Sequence, residues 1–130
     1  MSIKYRVVPR KNPLKPEDPP RYYAQAVIGE KKNLDDLATR IAKSTLASRT
    51  DVYAVLIALT DEIVGYLQEG SAVDLGDLCT FYPTIKSESA ETAEAFNAVS
   101  QITGKKVSVK PRSGVSRVLT ETPVMKISTN

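Results

Sequence analysis

The sequence predicts an α+β fold, a helical base carrying a β-hairpin, and three observations predict it. Two consecutive stretches, starting at Leu34 and near Arg49, repeat apolar residues at helical spacing. The stretch Gly70–Ile85, GSAVDLGDLCTFYPTI, then reads as strand, tight turn and strand. Outside these, short runs at both ends of the chain alternate apolar and polar residues, as strands do. A two-stranded hairpin is marginal by itself in water, so the helices before it must supply the surface on which it lies.

In chain order, residues 3–8 (IKYRVV) form the first strand candidate, with Ile3, Tyr5 and Val7 on one side and Lys4, Arg6 and Val8 on the other. Five prolines between Pro9 and Pro20 follow. Each lacks a backbone donor, so an extended connector is expected there rather than a helix or a central strand. Residues 22–28 alternate again and give a second strand, ended by a polar turn over Gly29–Lys32. Asn33 is an N-cap candidate with Asp36 three residues on, and Leu34, Leu37, Ala38, Ile41 and Ala42 carry a helix to about Lys43–Thr45. Ser48 and Asp51 have the capping-box spacing for the next helix.

That second helix carries a broad stripe of Val52, Val55, Leu56, Leu59, Ile63, Tyr66 and Leu67 before Gly70 ends it. The stripe is wider than one short helix and one hairpin need, which points to a second copy of the chain packing there. In the hairpin, Val73 and Leu75 flank Asp74, Gly76-Asp77 marks the turn, and Thr80, Phe81 and Tyr82 favour extended backbone. Residues 87–101 (SESAETAEAFNAVSQ) are acidic and alanine-rich and read as an arm or irregular loop. Val107 and Val109 alternate with Lys106, Ser108 and Lys110 until Pro111, residues 113–122 read as a short helix or loop, and 124–128 as a last strand.

The 130 residues fit one domain, and 42% hydrophobic residues sustain a modest core. No apolar run reaches a membrane span, and MSIKYRVVPRKNP lacks the apolar region of a secretory signal. One cysteine excludes an internal disulfide framework and suits a reducing cytoplasm. With no histidine, His/Cys zinc sites and Ser-His-Asp or Cys-His catalytic sets are excluded within the chain. No catalytic constellation stands out, so no enzyme activity, cofactor or metal is expected.

The net charge of +3 is unevenly spread. Residues 1–33 carry eight Lys/Arg against three Asp/Glu, residues 34–85 three against eight, 86–104 one against three, and 105–130 six against one. Basic ends around an acidic middle fit either a directional electrostatic face or termini that merely keep the domain soluble.

Helix, short turn, longer helix and then Gly70-x-x-Val73-x-Leu75 followed by Thr80-Phe81 resembles the HU/IHF family of bacterial histone-like DNA-binding proteins. The family pattern reads approximately G-x-x-V-x-L-x-G-F-G-T-F, and Asp77, Leu78 and Cys79 stand where it has Gly, Phe and Gly. Thr103-Gly104 is similar to the end of its arm motif, and Lys110-Pro111 to the Lys-Pro before its last helix. The likeness covers roughly residues 33–119. The extra strands at 1–32 and 120–130 are similar to an HU-like branch common in Bacteroidetes.

The resemblance implies a single HU-like domain, an intertwined homodimer with Val52–Leu67 in its interface, and sequence-nonspecific binding of double-stranded DNA at the nucleoid. It implies no membrane and no small-molecule cofactor. Family members bend DNA with basic arms whose tip proline wedges between base pairs. Here Gln101 stands at the proline position, Val99 at an arginine position, and residues 87–101 hold Glu88, Glu91 and Glu94 but no Lys or Arg. Carboxylates repel phosphates, so strong bending is not expected.

The expected DNA contacts are therefore Lys105, Lys106, Lys110 and Arg112, where the arm returns to the body, with Arg117 on the same face. The other reading of these cations is a solvated strand edge. Arg10, Lys11, Lys15 and Arg21 are read as solvated charges of the connector, Tyr22 and Tyr23 as strand packing residues, and Cys79 as a core thiol. The rival function is a structural or protein-interaction dimer that kept the fold and lost the DNA-bending arms.

Overall fold

The computed structural model describes residues 1–127, and Ser128 of the expected last strand lies outside them. Among the described residues there are six strands and four helices, in two compact units: Asn33–Ser116, and Met1–Lys32 with the chain from Arg117 onward. No described helix is long and apolar enough to cross a membrane.

The unit Asn33–Ser116 begins with α1 (Leu34–Ser44). Its cap is the expected one: Asn33 Oδ1 accepts from the Asp36 N–H at 2.9 Å, and Asp36 Oδ2 accepts from the Asn33 N–H at 3.0 Å. Two donors that the first turn leaves unpaired are thereby satisfied. In α2 (Arg49–Gln68), Ser48 Oγ accepts from the Asp51 N–H at 3.1 Å. An Arg49–Asp35 ion pair ties the starts of the two helices. Where they pack, Ala38 is fully buried and Val52 nearly so.

Gly70 ends α2 in the left-handed region, with φ +84°. The Gly70 N–H bonds to Leu67 O at 3.0 Å and the Ser71 N–H to Tyr66 O at 3.0 Å, the paired bonds of a Schellman cap. Because an L side chain is strained at this φ, Gly70→Ala is expected to lower unfolding free energy by about 1 kcal/mol. Urea denaturation checks this, and a midpoint equal to wild type would refute it.

A three-stranded sheet follows in the order β3-β4-β5, all antiparallel, from β3 (Val73–Asp74), β4 (Cys79–Ser87) and β5 (Ile102–Pro111). The β3–β4 turn is where the sequence puts it. Gly76 has φ +66°, and Asp74 Oδ1 accepts from its N–H at 2.8 Å. Beyond the reach of β3, β4 and β5 continue together from Tyr82 to Ser87 as a hairpin arm about 20 Å long. Pro83 is accommodated because β3 pairs only as far as Phe81. At Pro83 the missing N–H points to the side where no strand follows.

The acidic stretch is the tip of this arm and is not a helix throughout. It is a series of turns closed by α3 (Ala98–Gln101), one turn of helix capped by Asn97. Gln101 holds the tip together: its N–H bonds to Asn97 O at 2.9 Å and its side-chain amide donates to Ser89 O at 3.0 Å. α4 (Ser113–Glu121) then forms a helix where the sequence left helix or loop open.

In the other unit, β1 (Ile3–Arg10) lies between β2 (Arg21–Ala26), antiparallel, and β6 (Val124–Lys126), parallel. The strand runs past the expected end at Val8 and takes in Pro9. The reason is positional. Lys4 O bonds to Val27 N on the β2 side, whereas Ile3 N and Tyr5 O bond on the β6 side, so Pro9 also points to the β6 side. There β6 pairs only with Ile3–Tyr5, and the missing donor meets an open edge. The N- and C-terminal strands are thus joined through β1 and β6.

Few side chains are enclosed. Among the described residues only Ala38, Val52 and Cys79 are buried. On α2, Tyr53, Val55, Ile57, Leu59, Val64 and Tyr66 are each between 40% and 65% exposed. Phe81 is half-buried, opposite Val73 and Val109.

Candidate functional site

The β4–β5 register decides which cations share a face. Thr80 pairs with Lys110, Tyr82 with Ser108, Thr84 with Lys106 and Lys86 with Gly104, so Lys86, Lys106 and Lys110 stand on one side of the arm. Lys106 and Lys110 are two strand repeats apart, roughly 13 Å, enough for each to meet a different phosphate. The Lys110 ammonium lies 5.0 Å from the Tyr82 ring centroid, a cation–π contact that holds the charge over the strand. The Thr84 hydroxyl donates to Lys106 O at 3.2 Å and ties the two strands at mid-arm.

The five expected residues do not act as one set. Lys105 pairs with Ile85 and lies on the opposite face, among Val107, Val109 and Pro83. Arg112 is engaged: its guanidinium donates from Nε to Gly76 O at 3.0 Å and forms an ion pair with Asp74, while its N–H bonds to Leu78 O at 3.1 Å. These contacts clasp the end of β5 to the β3–β4 turn. Arg117 lies on α4, within the unit that holds β1, β2 and β6.

Lys86 is the cation that sequence reasoning missed. Its signal was the continued alternation Tyr82, Thr84, Lys86 beyond the point where the hairpin was expected to end. Cys79 is buried, as expected of a core thiol. The arm tip keeps Glu88, Glu91 and Glu94, and Val99 there is 94% exposed.

Arg112→Ala is expected to lower stability by about 1 kcal/mol, since it removes one charge-assisted hydrogen bond and a surface ion pair. Its effect on ligand affinity should be small. A thermal melt read beside a binding titration separates the two, and lost affinity at unchanged melting temperature would place Arg112 on a ligand instead.

The face opposite Lys106 and Lys110 is mainly apolar and carries Lys105. Pro83, Ile85 and Val107 line a groove of about 480 Å³ together with Val64, Leu67 and Gln68 of α2, and Thr84, Lys105 and Lys106 also border it. Ile85 is 65% exposed and Val107 is 54% exposed. The arm therefore has one side with three lysines and one mainly apolar side that also carries Lys105.

Over residues 1–126 the chain matches the family described as an HU domain fused to wHTH, Ig, or glycine-rich motif. No curated protein matches it. Among solved structures, that of a candidate bacterial DNA-binding protein from Bacteroides vulgatus is similar, with a TM-score of 0.62 at 16% sequence identity. The likeness covers 98% of this chain and 49% of that protein, so the chain spans about half its length. At this identity the similarity is one of fold.

Proposed function

The chain belongs to the family of HU domains fused to wHTH, Ig, or glycine-rich motifs, and from that premise we propose that it is a non-enzymatic, sequence-nonspecific DNA-binding protein of the bacterial nucleoid, acting as a homodimer. The observation that carries the reading is the cationic face of the arm. Lys86, Lys106 and Lys110 project from one side of a paired hairpin at spacings suited to successive phosphates. Flexible cations at such spacing hold a phosphate backbone without reading bases, which suits nonspecific binding. Lys105 contributes long-range attraction from the other face. Arg112 serves by fixing the base of the arm, and Arg117 is a secondary contact.

The homodimer is supported by unsatisfied apolar surface. Two separate compact bodies of these sizes would together expose roughly 8,000 Å². The chain exposes 11124 Å². The excess, roughly 3,000 Å² per chain, is above the roughly 1,000–2,500 Å² that each partner of an obligate homodimer commonly removes from water, so an interface of that size fits within it. α2 concentrates it, since Val55, Leu59 and Tyr66 continue the stripe of Val52 while Tyr53, Ile57 and Val64 form a second one. A helix apolar on most of its circumference belongs in an interior.

The acidic tip, with Gln101 and Val99 in place of Pro and Arg, favours binding along DNA without sharp bending. The test is a titration of a mixed-sequence duplex at several salt concentrations. Binding that weakens linearly in log–log form supports the reading, and no binding at 50 mM salt would leave the protein-interaction module as the function.

A further inference from the structure

A second cationic feature lies in the unit that holds β1 and β2, away from the arm in sequence and not part of the site above. β1 and β2 are joined by the proline-rich stretch, and their last register pair is Arg10 opposite Arg21. Directly opposed residues of an antiparallel pair place their side chains on the same face, and like charges there destabilise the ladder. Arg10, Lys11, Lys15 and Arg21 surround a cleft of about 550 Å³, with Asp18 its one acidic lining residue and Tyr23 at its side. Among the described residues none of these four cations has an ion-pair partner.

The connecting turn is also held in shape. Asn12 Oδ1 accepts from the Leu14 N–H at 3.0 Å, Asn12 O from the Lys15 N–H at 3.1 Å, and Lys15 O from the Asp18 N–H at 3.2 Å. The prolines fix φ at five further points between Pro9 and Pro20. A solubilising loop needs neither this order nor four cations converging on one cavity. Pre-ordering lowers the entropy lost when a ligand is bound.

We propose that the β1–β2 turn is a phosphate-binding site that grips the backbone of duplex DNA at a point separate from the arm. Arg10 and Arg21 form the floor, where a phosphate between them replaces repulsion by two charge-assisted hydrogen bonds. Lys11 and Lys15 close over it as point charges, and the Tyr23 hydroxyl is a further donor at the rim. The site needs no contribution from Lys86, Lys106 or Lys110, so it stands or falls independently of the arm. Two anchor points on one chain would raise avidity without base contacts.

The test uses the full chain, a fluorescent mixed-sequence duplex of about 30 base pairs, and three variants: Arg10→Gln/Lys15→Gln/Arg21→Gln, Arg21→Gln and Asp18→Asn. The triple variant should lose at least tenfold in affinity and show a salt slope shallower by about 0.9 for each phosphate contact removed. Arg21→Gln should weaken binding yet raise the melting temperature, because it relieves the Arg10–Arg21 repulsion. A purely structural role predicts a fall instead. Asp18→Asn should tighten binding, a gain that impaired folding does not produce. Unchanged affinity in the triple variant overturns the proposal even if an arm variant abolishes binding, in which case only the arm reading survives.

A second arm of the experiment titrates inorganic pyrophosphate while following the amide signals of residues 10–21. Shifts there without duplex binding support a site for free phosphates and overturn the DNA backbone as its ligand. No shifts and no duplex binding overturn both readings.

Discussion

Leu59→Asp is expected to leave the chain unable to form its folded assembly. Leu59 sits on α2 within the stripe of Val52, Leu56 and Ile63, yet is 40% exposed in the single chain. If a second copy covers it, the substitution removes about 1.5–3 kcal/mol of apolar burial per chain. It also strands a carboxylate in an apolar interface, a cost of several kcal/mol more. Symmetry doubles both, and a protein with total stability of about 5–15 kcal/mol does not survive that.

Sedimentation should show a dimer for wild type and aggregated or unfolded chain for the variant. The wild-type melting temperature should rise with protein concentration, because association is linked to folding. A wild-type chain that sediments as a stable monomer, with Leu59→Asp tolerated, would remove the dimer from the account.

The other large effect is expected on DNA affinity. Replacing Lys86, Lys106 and Lys110 by Glu should weaken binding on the order of 100-fold or more at 50 mM salt, since three attractive charges become repulsive on the face proposed to meet phosphate. The salt slope should fall by about 0.9 for each lysine that touches phosphate, counted once per subunit of a symmetric dimer. Lys105→Glu is the internal comparison. It is adjacent in sequence to Lys106 but lies on the other face, opposite Ile85, so its effect should be much smaller and largely kinetic. Equal losses from Lys105→Glu and Lys106→Glu would mean that the two faces of the arm are not distinguished by DNA.

The local part of the fold was legible because local chemistry sets it. Asn33 with Asp36, Ser48 with Asp51, and Gly70 mark helix ends through hydrogen bonds that span at most five residues, and each does so in the structure. The Gly76 turn follows from a positive φ that glycine tolerates and from the Asp74 side chain two residues before it. Pro9 misled because its environment was not local. It was read as the start of the connector yet lies inside β1, and whether a missing donor matters depends on how far the neighbouring strand reaches.

The candidate site was legible in kind and not in membership. The basic run from Lys105 to Arg112 is plain in the sequence, but its members divide three ways: Lys106 and Lys110 to the cationic face, Lys105 to the apolar one, and Arg112 to the clasp with Asp74 and Gly76. Lys86 joins the first group only because β4 continues to Ser87. The cations near the proline-rich turn look like ordinary loop charges until Arg10 is seen paired with Arg21.

The sequence by itself determined where helices start and stop, the place of the β3–β4 turn, the excess of apolar surface on α2, and the uneven charge along the chain. These depend on neighbours within a turn or two, or on composition alone. Only the tertiary structure decided which lysines face the same way and which arginines confront each other. A strand's faces alternate with every residue, so membership of a face is fixed by the register between segments far apart in the chain, Cys79–Ser87 against Ile102–Pro111 and Ile3–Arg10 against Arg21–Ala26.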